Sequence, residues 1–248
     1  MATKKRKFNG GVSALGTLLD LMVTTLFTKL KKQGLSLAEA IVRLASDEKA
    51  QDEIVAILAG LVRPPSVDQR IQWWVEFWAS YGFVINPTTL TIPVVPAGFS
   101  PIRLIVIPQG LTIQRAWEIA KSLFPCYNYI RGNLDEAIPT NDRVAYKGYV
   151  VAFRDRPEAD EEFKNISAND LKARNHKGIT ALEAIVDEIG FYKKTDGHRD
   201  IQNVTLCTGS RYSDGCVPGS YWNVDEFQLY WYSADYRYDN LRSRQAVS

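Results

Sequence analysis

The sequence predicts an α+β protein: a helical N-terminal region followed by a mixed α+β domain with a small sheet. Three observations lead there. Apolar residues at helical spacing, with capping boxes between them, fill the chain up to Pro64-Pro65. From Gly82 onward, Pro87, Pro93, Pro96, Pro101 and Pro108 punctuate short β-rich runs. Near the other end Phe227, Leu229 and Trp231 alternate with Gln228, Tyr230 and Tyr232, the period of a half-buried strand.

The elements follow in order. Residues 1–9 read as a basic flexible tail. Over 10–65, Leu15, Leu18, Leu19, Met22, Leu26 and Leu30 mark a first helix, and Gly34 is placed to end it in the left-handed conformation. Ser36-Leu37-Ala38-Glu39 opens a second helix with Leu37, Ile41 and Leu44 on its apolar side. Ser46 is expected to cap a third, containing Ile54, Ile57, Leu58 and Leu61, which Pro64-Pro65 stops.

The α+β domain then runs over 66–248. Ser66 to Gln69 is a capping box, and Trp74, Phe77, Trp78 and Tyr81 give the helix behind it a wide aromatic stripe, expected in the core. Arg103 to Ile107 is a buried strand, and Thr112 caps a helix that Pro125 ends. Cys126 to Ile130 and Tyr149 to Phe153 read as strands, with polar loop at Asp135 to Arg143. Pro157 suits the first position of a helix whose N-terminal turn holds Glu158, Asp160, Glu161 and Glu162. Ser167 caps a short helix, and Thr180 to Glu183 opens an amphipathic one. Val204 to Cys207 is a short strand, and a glycine-containing loop leads to the alternating strand at 227–232.

Composition narrows the class. Of 248 residues 46% are hydrophobic and 23% charged, which excludes wholesale disorder. With 30 basic against 28 acidic residues the formal charge is +2, without the basic excess of a dedicated duplex-DNA binder. Cys126, Cys207 and Cys216 are too few for a disulfide scaffold, so reduced thiols and a cytoplasmic location are expected. No integral membrane segment is expected either, because the apolar run Val12 to Leu30 contains Asp20 and several threonines.

Two stretches offer chemistry. Cys207 to Cys216 is rich in small polar residues, and in it Ser210, Arg211, Ser213 and Asp214 are candidates to bind an anion. It has neither a Walker spacing nor a dinucleotide fingerprint, and turn chemistry is the simpler account. A cysteine nucleophile would pair Cys207 or Cys216 with His198 or His176, and a metal site would need His198, Cys207 and Cys216 to meet Asp200 or Asp214. Neither has the local spacing of a known motif, so no metal and no cofactor are assigned.

The second stretch mixes aromatics with arginines: Tyr221, Trp222, Tyr230, Trp231, Tyr232, Tyr236, Arg237, Tyr238, Arg242 and Arg244. The simplest account puts Trp231 and Phe227 in the core with the tyrosines covering a sheet face; next comes a protein interface, and then single-stranded nucleic acid, where bases stack and phosphates pair. Lys4, Lys5, Arg6 and Lys7, with no acid before Asp20, are further candidates for nucleic-acid or partner contact.

From about Asp68 onward the chain resembles a family of uncharacterised bacterial proteins. Arg103-Leu104-Ile105-Val106, Phe153-Arg154-Asp155-Arg156, Leu206-Cys207-Thr208-Gly209-Ser210-Arg211 and Leu241-Arg242-Ser243-Arg244 carry the resemblance. It implies a shared fold and brings no activity with it. The expectation is a non-catalytic binding or interaction protein whose partner is another protein or single-stranded nucleic acid, with oligomerisation through the N-terminal helices. The alternative is an enzyme that binds an anionic, phosphate-bearing substrate at 207–216.

Overall fold

The computed structural model describes residues 66–130 and 132–248, with 27–34, 36, 39, 42, 46–49, 51 and 52. The chain divides into two compact units, Met1–Pro64 and Pro65–Ser248.

In the first unit, α1 (Phe27–Lys32) ends at Gly34, whose φ of +72° is the left-handed value expected of it. The backbone N–H of Glu39 donates to Ser36 Oγ at 3.4 Å, the first half of the capping box. Ser46 also bonds within its own segment. It is itself helical, and its hydroxyl donates back to Val42 O at 2.8 Å, one turn earlier. The remaining N-terminal expectations, Lys4 to Lys7 among them, fall outside the described residues.

The second unit is α+β. Helix α2 (Val67–Ala79) is opened by both bonds of its capping box: Gln69 N–H to Ser66 Oγ, and Ser66 N–H to Gln69 Oε1. Trp74, Phe77 and Trp78 of the expected stripe are buried, joined by Ile71, while Tyr81 falls past the helix end and is half-buried. It lies along β1 (Ile102–Ile107), which pairs antiparallel with β4 (Tyr149–Arg154). Arg70, Trp74 and Trp78 donate in turn to the carbonyls of Ile102, Leu104 and Val106, at 2.8, 2.9 and 2.8 Å. Four helical residues advance about 6 Å and two strand residues about 6.6 Å, so helix and strand keep step. The carbonyls on the side of β1 that faces away from β4 are thereby satisfied by side chains instead of a third strand.

Helix α3 (Ile113–Leu123) is capped by Thr112 and followed by β2 (Cys126–Asn128). The segment expected to be loop holds a single turn, α4 (Leu134–Ala137), capped by Asn133, then β3 (Thr140–Asn141). The helix expected from Pro157 is absent, and only a 3₁₀ turn forms at Glu161–Phe163. The carbonyls of Arg156, Pro157 and Glu158, which such a helix would use, accept instead from Arg199 and Arg244.

Helix α5 (Ala168–Ala173) is capped by Ser167, and α6 (Ala181–Thr195) by the Thr180–Glu183 capping box. The first ten residues of α6, Ala181 to Gly190, are all buried, because the helix touches α3, β1 and β7 alike. Gly190 lies against the Trp74 ring, where an added Cβ would stand 2.6 Å from it.

The larger sheet has the order β2-β8-β7-β5-β9, formed by β5 (Val204–Leu206), β7 (Val217–Asn223), β8 (Glu226–Tyr232) and β9 (Leu241–Ser243) beside β2. The outer pairs β2–β8 and β5–β9 are parallel and the inner pairs antiparallel. A small pair joins β3 to β6 (Ser210–Arg211). Past β9 the chain crosses to β4, where Val247 and Ala152 exchange two backbone bonds of 2.8 and 3.0 Å.

Candidate binding surface

Paired charges fill the interior of the unit. Helix α6 carries Glu183, Asp187 and Glu188 into the interior, and each meets a partner. Arg143 grips Glu183 at 2.6 and 2.7 Å, and Arg103 grips Asp187 at 2.6 Å through two nitrogens. His198 Nδ1 lies 2.6 Å from Glu188. Burial opposes ionisation of Asp187, but Arg103 and Arg199 outweigh it and hold the carboxyl below its usual range.

Arg244 is 2% exposed. Its Nε donates to Thr205 Oγ1, Nη1 to the carbonyls of Arg156 and Glu158, and Nη2 to Pro157 O and Asp200 Oδ1. All the donors a guanidinium has are engaged. Arg242 is also buried and paired with Glu161. The structure therefore corrects the expectation that these two arginines meet a nucleic acid or partner. Strand β9 runs inside the unit, and both side chains support it from within. The chamber beside Asp187, Glu188, Arg199, Asp200 and Arg244 measures about 10 Å³, at the threshold for a single water.

The residues proposed for an anion loop are divided between interior and surface. Ser210 is buried; its hydroxyl accepts from Ala181 N–H at 2.8 Å and donates to Asn141 Oδ1, so it anchors the start of α6. Arg211 folds onto its own loop and donates to Thr208 O and Ser210 O at 2.8 and 2.7 Å. Ser213 and Asp214 stand at the exposed tip, where Asp214 Oδ1 accepts from Cys216 N–H. Turn chemistry accounts for the bonds of Arg211 and Asp214.

Burial pushes the thiols of Cys126 and Cys207 up to about 12, and that of Cys216 upward as well. At neutral pH they are protonated and weakly nucleophilic. His198 turns to Glu188, and His176 is held neutral, lowered by burial to about 4. Among the described residues no group of three or more histidine, cysteine or acidic side chains is placed to hold a metal ion. No helix among them is long and apolar enough to cross a membrane.

One side of the larger sheet is lined with tyrosines, of which Tyr221 and Tyr232 pack half-buried on a second apolar cluster and only the β2 end is open to solvent. The register sets Tyr127 of β2, Gln228 of β8 and Tyr221 of β7 side by side. Period two then sends Tyr129, Tyr230, Tyr232 and Glu226 to the same side, while Phe227 and Leu229 face the core beneath. Tyr129 stands perpendicular to Tyr127 at 4.8 Å between ring centroids, and perpendicular to Tyr230 at 4.4 Å. Tyr127 is 47% exposed and Tyr129 49%.

A polar thread runs across the middle of this face. Tyr221 Oη donates to Gln228 Oε1, and Gln228 Nε2 donates to Glu226 Oε1 at 2.7 Å. Burial, then the neighbouring phenols, raise Tyr221 and Tyr232 above the usual phenol range, so the rings stay neutral. Farther along, Tyr236 and Tyr238 are exposed and in edge contact, while Arg237 is tied to Asp170 at 2.8 and 3.0 Å.

Tyr127 and Tyr129 were not among the candidates drawn from sequence. Their i, i+2 spacing in a short strand was the available signal. Trp231 reverses its expected place: it is 45% exposed, because β8 continues past the core that covers Phe227 and Leu229. Comparison with protein-family models, with curated proteins and with solved structures returns no match.

Proposed function

We propose that the protein is a non-catalytic binding module that recognises another protein through the tyrosine face of β2, β8 and β7. The observation that carries this reading is the exposure of Tyr127, at the sheet edge, and Tyr129, just past it, in edge contact with each other and with the half-buried Tyr230. Tyrosine supplies a large contact area at low entropic cost, and protein interfaces are enriched in it. A single-stranded nucleic acid would need cations beside the rings. Among the described residues no lysine or arginine lies over the rings of this face, although other rings of the unit carry one. Protein is therefore favoured as the partner class.

The test is peptide display selected on the full chain. Enriched peptides are expected to bind the wild type and to lose at least about tenfold in affinity when Tyr129 and Tyr230 are both changed to alanine. Enriched peptides that bind the double variant as well as the wild type refute the reading, provided the variant's melting temperature is unchanged.

A further inference from the structure

The chamber between helix α6 and the larger sheet, about 10 Å³, has the size of one water molecule and holds nothing larger. Glu188 of α6 lines it, with Thr205 of β5, Ser220 of β7, and Arg199 and Asp200 from the connection between α6 and β5.

Two of these residues carry a buried donor without an acceptor. Arg199 is 6% exposed, and its Nε has no hydrogen-bond partner. Asp187 Oδ2 lies 3.3 Å from that nitrogen, an ion-pair contact without the geometry of a hydrogen bond. Ser220 is 3% exposed. Its oxygen receives only the Cys207 thiol, at 4.0 Å, and its proton meets no acceptor among the described residues. Buried donors of this kind are costly to leave unmade, and ordered water is the usual remedy where space allows.

Acceptors line the same chamber. Glu188 Oε1 lies 2.6 Å from His198 Nδ1, and Glu188 Oε2 accepts from Arg199 N–H. Asp200 Oδ1 accepts from Arg244 and Asp200 Oδ2 from Thr205. Each of the four oxygens thus has one partner, and a carboxylate oxygen can take a second. Burial raises both carboxyls above their usual range, and a further donor relieves part of that cost.

We propose that the chamber is the binding site of one structural water, which accepts from Arg199 Nε and Ser220 Oγ and donates to the carboxylates of Glu188 and Asp200. Four such bonds use the whole tetrahedral capacity of a water molecule, and they tie β7 to α6 across the chamber. The site stands whether or not the tyrosine face binds a partner.

A crystal structure of the full-length protein, at a resolution that shows ordered water, is the direct test. One peak is expected in the chamber, about 2.5–3.2 Å from Arg199 Nε, from Ser220 Oγ and from an oxygen of Glu188 or Asp200. A chamber without that peak overturns the inference. So does a Ser220 hydroxyl that bonds a carboxylate itself, or a peak with the scattering of a heavier ion.

In solution, oxygen-17 magnetic relaxation dispersion counts long-lived internal waters. Ser220→Val puts methyl groups where the hydroxyl stands and fills the space, so it should show about one long-lived water fewer than the wild type. Equal counts in the two proteins sink the inference. Should Ser220→Val fail to fold, the wild-type crystal structure decides alone.

Discussion

Arg244 and His176 mark opposite ways of burying a polar side chain. Arg244 is fully bonded, and it holds an extended backbone at 156–158 that would otherwise favour a helical turn. His176 packs on Phe163 at 4.2 Å between centroids, and its Nε2 is buried with no hydrogen-bond partner. Desolvation of the charged form then dominates and lowers the group from 6.5 to about 4. Because the folded value lies below the unfolded one, the unfolded chain takes up the proton first. Stability is therefore lost as pH falls from about 6.5 toward 4, and is fully present above that window. The full shift would correspond to roughly 3 kcal/mol, and screening at this partly exposed ring brings it to about 1–2 kcal/mol. Urea unfolding at pH 7 and pH 5 checks this. His176→Phe should lose less stability than the wild type between the two, and equal losses would exclude His176 as the cause.

At the scale of elements, helix α2 and strand β1 fit because their repeats nearly coincide, and a third element wedges that fit. Gly190 of α6 makes room for the Trp74 indole that serves Leu104 O. Helix propensity favours alanine over glycine by about 1 kcal/mol. A methyl group 2.6 Å from the ring must displace Trp74 or the helix, and overpacking of that kind costs about 1–3 kcal/mol or more. Gly190→Ala should therefore destabilise the protein by about 1–3 kcal/mol in chemical denaturation. A more stable variant would show that α6 shifts freely. Strand β7 was passed over in the sequence because Pro218-Gly219 reads as a loop. In the sheet Gly219 lies flat under the Tyr232 ring, where an added Cβ would stand 2.5 Å away, and Pro218 O accepts from Cys207 N–H.

For the α+β unit as a whole, the C-terminal segment joins the two sheets. Gln245 N–H donates to Asp160 Oδ2 at 2.9 Å, Ala246 is buried, and Val247 pairs with Ala152 of β4. Deleting residues 245–248 leaves the backbone groups of Ala152 unpaired in the interior and uncovers part of the core. We expect a loss of about 2–4 kcal/mol in a denaturation midpoint, with no change in which ligands are bound. A deletion that leaves the midpoint unchanged would show that the crossing adds no stability.

The sequence alone determined the α+β class, the buried Trp74–Trp78 stripe, and the capping boxes at Ser66 and Thr180. Those signals are local: a side chain satisfies a backbone group within one turn, or an apolar period repeats along one element. Tertiary structure alone decided that Arg242 and Arg244 turn inward, that Ser210 parts from Ser213 and Asp214, and that Tyr127 joins Tyr221 and Tyr230 on one face. These outcomes depend on which strand lies beside which. Strand order and register bring together residues about a hundred positions apart, and no local spacing encodes that meeting.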